Sequence, residues 1–79
     1  MNRRYVKSGD IESIGYDRDI GVMEVKFVNG GLYQYSGIEP GLYDGLMQAE
    51  SKGSYLANYV KRGGYNYRKV TKETNNDKT

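Results

Sequence analysis

Residues 22–36 of this chain read VMEVKFVNGGLYQYS, and this stretch predicts a β-hairpin. Met23, Val25 and Phe27 alternate with charged residues, which is the period of a strand with one buried face. The Asn-Gly-Gly run that follows accepts the left-handed backbone that tight turns need. The stretch therefore predicts two antiparallel strands, around which the rest of the chain is arranged.

The length of the loop sets the pairing of these two strands. A three-residue loop over Asn29–Gly31 places Phe27 opposite Tyr33 and Val25 opposite Tyr35, so that the large side chains share one face. A two-residue Asn-Gly turn would instead set a polar side chain opposite Val25. Because a slip of one residue moves every side chain to the other face, we expect the three-residue loop.

A first strand is predicted over residues 11–16, where Ile14 and Tyr16 alternate on the inward face. Gly15 interrupts this pattern and indicates a bulge or a close backbone approach. Residues 1–10 are expected to be a flexible N-terminal segment that contributes at most to a sheet edge.

Two helices are predicted after the hairpin. Pro40 suits the first turn of a helix, and apolar residues follow it at helical spacing. Lys52 and Gly53 are interpreted as the end of this helix, because a cation and a glycine favour a helix C-terminus. Ser54 is then expected to cap a shorter helix that runs through about Arg62.

The last strand is predicted over residues 65–70, with Tyr65 and Tyr67 on one face and Arg68 on the other. The element order βββααβ predicts an α+β fold. In this fold an antiparallel β-meander of three to four strands packs against a short helical hairpin.

Length and composition limit the number of domains and the chemistry that the protein can carry out. The 79 residues allow one small domain, which we place over residues 11–70, followed by a disordered polar tail over residues 71–79. The chain has no cysteine and no histidine, which removes disulfides, the usual metal ligands and the usual general base. We therefore expect no metal, no cofactor and no enzymatic activity. Since no run approaches the roughly 20 apolar residues of a membrane span, we expect a cytoplasmic protein without membrane contact.

Four short motifs occur in order along the chain. They are IGYD at 14–17, VKFVNG at 25–30, YQY at 33–35 and GSY at 53–55. In this order they resemble the KTSC domain, a family named after the C-terminal end of certain lysyl-tRNA synthetases, over about residues 6–70. Leu56 and Ala57 depart from the phenylalanine and asparagine that are usual in this family, so a contact made by that asparagine is absent or is made differently.

The resemblance implies the α+β fold and a short protein of a kind that is common in bacteria and bacteriophages. It implies no established activity, and it suggests nucleic-acid contact only by analogy with the synthetases.

Charge and tyrosine are unevenly distributed along the chain. The net charge is +2, yet residues 8–50 sum to −6 and residues 51–72 sum to +6. The chain has nine tyrosines, one phenylalanine and no tryptophan. Phosphate binds cations, preferably arginine, and a nucleobase stacks on a flat ring. The candidate ligand-binding residues, which combine both features, are Tyr59, Lys61, Arg62, Tyr65, Tyr67, Arg68 and Lys69.

These residues suggest a small, non-enzymatic binding module for an anionic, base-containing ligand, either single-stranded nucleic acid or a nucleotide. If the protein is encoded by a phage, sequestering a nucleotide immune signal is a concrete version of this function. A homo-oligomer is then expected to build the pocket, because one small domain has little room for an enclosed site of about 300 Å³. The alternative is a module for protein–protein interaction or self-association, in which the exposed tyrosines and the opposed acidic and basic segments serve a partner. A third interpretation assigns no site to these residues: the cations only solvate a helix end and an outer strand face, and the tyrosines pack inward.

Three other sequence features are weaker candidates for a functional site. Asp17 and Asp19 form a carboxylate pair, but acids in turns usually cap backbone amides. The Asn29–Gly31 run precedes a strand, whereas a phosphate-binding loop normally opens onto a helix. A helix-turn-helix centred on Gly53 would have a short second helix with an apolar face, which leaves few side chains to contact bases.

Overall fold

The computed structural model describes residues 2–70, which form one antiparallel sheet and two helical segments. The strands are β1 (Arg3–Tyr5), β2 (Ile11–Asp17), β3 (Val22–Phe27), β4 (Leu32–Tyr35) and β5 (Tyr67–Lys69). The helices are α1 (Pro40–Gln48) and α2 (Lys52–Tyr55), and α2 continues directly into a π-helix (Leu56–Lys61). The strands are ordered β1-β2-β3-β4-β5 in the sheet, and every neighbouring pair is antiparallel.

The α+β class is confirmed, but the predicted count of three to four strands is wrong because the described residues contain five. The additional strand, β1, lies within the segment that was expected to be flexible. Arg3 pairs with Gly15, and Tyr5 pairs with Ser13. Its sequence, Arg-Arg-Tyr, has no apolar alternation to reveal a strand. The predicted tail over residues 71–79 lies outside the described residues.

The hairpin between β3 and β4 has a three-residue loop, as predicted, but the loop is Val28–Gly30. The Phe27 amide donates a hydrogen bond to the Gly31 carbonyl at 2.8 Å, and the Gly30 amide donates to the Phe27 carbonyl at 2.9 Å. Gly30 has a φ of 100°, which favours glycine. The loop therefore begins one residue earlier than the sequence suggested.

This displacement shifts the strand pairing by two residues. Val25 lies opposite Tyr33, and Met23 lies opposite Tyr35. The predicted pairing of Phe27 with Tyr33 is therefore wrong. An even shift keeps each side chain on the same face of the sheet, so the large side chains still share the inward face.

The irregularity in β2 lies between Ile11 and Ser13 rather than at Gly15. Gly15 pairs regularly with Arg3 on one side and with Glu24 on the other. It lies on the outward face of the sheet, in a row of polar residues.

The boundary between the two helices also differs from the prediction. Ala49 is already extended, with a ψ of 140°, and Lys52 begins α2 instead of ending α1. The Lys52 ammonium donates to the Ala49 carbonyl at 3.0 Å, so the cation does contact the end of α1. Ser51, not Ser54, caps α2, because its hydroxyl accepts a hydrogen bond from the Ser54 amide at 3.3 Å.

The core lies between the inward face of the sheet and the two helical segments. Its buried residues are Ile11, Ile14, Met23, Val25, Tyr35, Ile38, Leu46, Leu56 and Val60. The helical layer contributes Leu46 from α1 and two residues from the π-helix. In the part of the chain that the structure describes, no helix is long and apolar enough to cross a bilayer.

Candidate ligand-binding groove

An open groove of about 750 Å³ runs along the inward face of β4 and β5, next to the hairpin loop. Five aromatic rings line it: Phe27, Tyr33, Tyr35, Tyr65 and Tyr67. Its polar lining comes from the hairpin loop residues 29–31 and from two lysines, Lys61 and Lys69. We refer to this feature as the aromatic groove.

Strand pairing places three of the rings side by side. Tyr33 and Tyr35 both point inward from β4, and Tyr67 on β5 lies directly opposite Tyr35. The ring centroids of Tyr67 are 5.8 Å from Tyr35 and 6.1 Å from Tyr33. Phe27 meets Tyr33 edge to face at 5.7 Å. The rings therefore form one continuous aromatic surface.

The exposed fraction differs strongly among these tyrosines. Tyr67 is 64% exposed, whereas Tyr35 is 3% exposed. Tyr67 thus forms the open side of the groove, and Tyr35 lies at its base. Burial raises the pKa of Tyr35 to about 12, and the neighbouring phenols of Tyr33 and Tyr67 act in the same direction.

Lys61 and Lys69 supply the positive charge of the groove. The Lys61 ammonium lies 5.0 Å from the centroid of the Phe27 ring, which is within cation–π range. Lys69 lies opposite Tyr33 and is exposed. Among the residues that the structure describes, no acidic side chain lines the groove. The groove therefore combines stacking surfaces with cations and without local anions.

Tyr65 reaches the groove through a glycine-rich turn. A Cβ atom on Gly63 would lie 2.6 Å from the Tyr59 carbonyl oxygen and 2.8 Å from a ring carbon of Tyr65. Glycine at this position therefore lets the Tyr65 ring lie against the backbone that leaves the π-helix. Gly64, with a φ of 80°, then turns the chain toward β5.

Arg68 lies on the opposite face of the sheet from Tyr67 and Lys69. Its Nε donates to Gln34 Oε1 at 3.2 Å, and Gln34 Nε2 donates to Glu24 at 3.1 Å. Arg3 completes this polar row through an ion pair with Glu24 at 2.9 Å. Arg68 is thus part of a cross-strand network on the outward face and does not line the groove.

Tyr59 and Arg62 also lie outside the set of groove-lining residues. Tyr59 is 58% exposed, and its ring packs against Tyr55 with centroids 4.6 Å apart. Arg62 follows the π-helix directly and is exposed. The structure brings four of the seven candidate residues together in the groove, namely Lys61, Tyr65, Tyr67 and Lys69.

Sequence reasoning missed the contribution of β3 and β4 to this site. Phe27, Tyr33 and Tyr35 were assigned to the core because they alternate inward. The pairing of β5 with β4 brings two of them beside Tyr67. The short basic sequence of β5 does not indicate which strand it pairs with.

The turn carboxylates behave as the sequence suggested. Asp17 Oδ1 accepts a hydrogen bond from the Asp19 amide at 3.0 Å, which is a local turn contact. Within residues 2–70, no group of three or more acidic, histidine or cysteine side chains could hold a metal ion.

Comparisons with known proteins agree on one family. The model of the KTSC domain matches residues 7–67. An uncharacterised protein of Stutzerimonas stutzeri is 31% identical over 70 residues, which cover 89% of this chain and 99% of that protein. A protein of Tsukamurella paurometabola is 36% identical over 56 residues, which cover 71% of this chain and 84% of that protein. The crystal structure of a KTSC domain protein from Yersinia pestis matches with a TM-score of 0.83 and 38% identity, over 87% of this chain and 96% of that chain. The resemblance in the sequence motifs is confirmed, and the chain belongs to the KTSC domain family.

Proposed function

We propose that this protein is a non-enzymatic binding module for an anionic, base-containing ligand, and that the aromatic groove holds this ligand. The observation that carries the proposal is that five aromatic rings and two lysines line one groove that lacks acidic side chains in the described chain. Stacking of a base on an aromatic side chain contributes about 1–3 kcal/mol, and a phosphate pairs with a cation. The groove supplies both interactions.

The relative positions of the rings and cations suit a nucleotide. Tyr67 and Lys69 are two residues apart on β5, so they lie on the same face of the sheet. A base that stacks on Tyr67 would place its phosphate on the face of the sheet that carries Lys69. In this proposal Lys61 and Lys69 hold phosphate, and this role does not fall to Arg68, because its guanidinium lies on the outward face.

The volume of the groove also fits this ligand class. Small-molecule sites typically measure about 300–1,000 Å³, and one copy of this chain forms a groove of about 750 Å³. Because the groove is open, one copy would hold a nucleotide or a short piece of a single strand on its surface, and a homo-oligomer would be needed to enclose it. Because it would bind without turnover, such a protein could sequester a nucleotide, for example a nucleotide immune signal.

Calorimetric titration of the full chain tests the proposal. The probes are the four ribonucleoside 5′-monophosphates and a single-stranded oligo(dT) of about ten nucleotides. For single strands, the logarithm of affinity should fall with the logarithm of salt concentration by about 0.7 per neutralised phosphate, so two lysines predict a slope of about −1.4.

Two results would contradict the proposal. One is the absence of binding to any probe at about 1 mM. The other is oligo(dT) binding that does not respond to salt, since this would leave no role for the lysines. Either result would favour the alternative of a protein-interaction module.

A further inference from the structure

Tyr35 is a buried residue, and its hydroxyl group has no hydrogen-bond partner among residues 2–70. Tyr16, in contrast, donates its hydroxyl to the Ile38 carbonyl at 2.6 Å. Buried polar groups in folded proteins nearly always have a partner, because an unpaired one loses its hydration without compensation. The unpaired hydroxyl of Tyr35 therefore calls for a physical explanation.

The position of Tyr35 in the groove suggests why its hydroxyl is unpaired. It lies among the lining residues of the aromatic groove, and the rings of Tyr33 and Tyr67 flank it at 6.4 and 5.8 Å. Tyr67 is 64% exposed and belongs to β5, a three-residue edge strand whose residues are all exposed. Exposed side chains change rotamer on the picosecond to nanosecond timescale, so the Tyr67 ring can move aside. A base that stacks on the displaced ring replaces the ring contacts that Tyr67 gives up.

We propose that the Tyr35 hydroxyl determines base specificity in the groove by donating a hydrogen bond to an acceptor on the base edge, while the displaced Tyr67 ring stacks on the base. This inference rests on the proposed function. A site with a buried donor discriminates against ligands that cannot pair with it, because they leave the donor unsatisfied. A tyrosine hydroxyl is protonated at neutral pH, so the donor is present under the conditions of binding.

The test is Tyr35→Phe, which removes the hydroxyl and keeps the ring. Titration with the four ribonucleoside monophosphates should show affinity for the best-bound one reduced about three- to tenfold, with smaller differences among the four. The salt slope for oligo(dT) should not change, because the lysines are intact. The melting temperature of the free protein should be unchanged or higher, since an unpaired polar group has been removed from the interior.

Tyr5→Phe is the matched control. Tyr5 is 81% exposed on β1, at the opposite edge of the sheet from β5. The same chemical change at this position should alter neither affinity nor melting temperature.

The outcomes separate this inference from the proposed function. If the wild-type chain binds neither the monophosphates nor oligo(dT), both are overturned. If it binds oligo(dT) but none of the monophosphates, only the inference is overturned. If the wild type binds and Tyr35→Phe binds equally well, only the inference is overturned. A Tyr35→Phe protein that melts below the wild type would show that the hydroxyl already has a partner in the free protein, such as a buried water, and would also overturn the inference.

Discussion

Replacing both Lys61 and Lys69 with alanine should weaken oligo(dT) binding about thirtyfold at low salt and remove most of its salt dependence. Both ammonium groups are exposed, so we assign about 1 kcal/mol to each phosphate contact after allowing for solvent screening. A total of about 2 kcal/mol corresponds to roughly a thirtyfold change in affinity. Fluorescence anisotropy of a labelled oligo(dT) at two salt concentrations measures both effects.

The matched control is the double change Arg4→Ala and Lys7→Ala. It removes the same charge from two exposed residues, Arg4 on β1 and Lys7 just after it, at the far edge of the sheet from the groove. We expect a small, non-specific loss of affinity. Equal losses in the two double variants would show that only net charge matters, and would contradict the groove as the binding site. Arg68→Ala should have little effect, because Arg68 belongs to the outward polar row.

Stability should fall as the pH rises from about 10 to 12, and Tyr35 should account for about 2–3 kcal/mol of this loss. Burial raises the pKa of Tyr35 from 10.0 to about 12 in the folded protein. In the unfolded chain the phenol ionises near pH 10, so the folded state favours the neutral form above that pH. The contribution is fully present below pH 10 and is lost as the pH rises through the folded-state pKa.

Urea denaturation of the wild type and of Tyr35→Phe isolates this contribution. Relative to the wild type, the variant should gain about 2–3 kcal/mol of unfolding free energy between pH 8 and pH 12. Tyr16 also has a raised pKa because of burial, an effect that the nearby Arg18 partly offsets, but Tyr16 is present in both proteins and cancels in the comparison. A difference between the two proteins that stays constant with pH would contradict the expected titration.

The hairpin shows what alternation in a sequence can and cannot predict. The pattern around Val25 identified the strands and the inward face correctly. It could not distinguish loop Asn29–Gly31 from loop Val28–Gly30, because both positions leave the same side chains on the inward face. The local backbone decides between them, since Gly30 takes the left-handed conformation at the end of the loop.

The groove shows which site residues the sequence could not predict. Alternation along β5 placed Tyr67 and Arg68 on opposite faces, as the structure confirms, yet proximity in sequence kept both in the candidate site. Lys61 lines the groove, whereas Arg62 does not. The sequence could not separate these two neighbours, because the π-helix has wider turns than the α-helix that was predicted there. The contribution of Tyr35 depended on long-range strand pairing, which has no local signal.

Titration of the isotopically labelled full chain with a ribonucleoside monophosphate, and separately with oligo(dT), followed by backbone amide chemical shifts, tests the central claim most directly. We expect saturable shifts concentrated at residues that line the aromatic groove, such as Gly30, Gly31, Tyr65 and Tyr67. Residues elsewhere, such as Ile20, should not respond. The absence of saturable shifts, or shifts confined to surfaces outside the groove, would contradict the claim that this groove binds a base-containing anion.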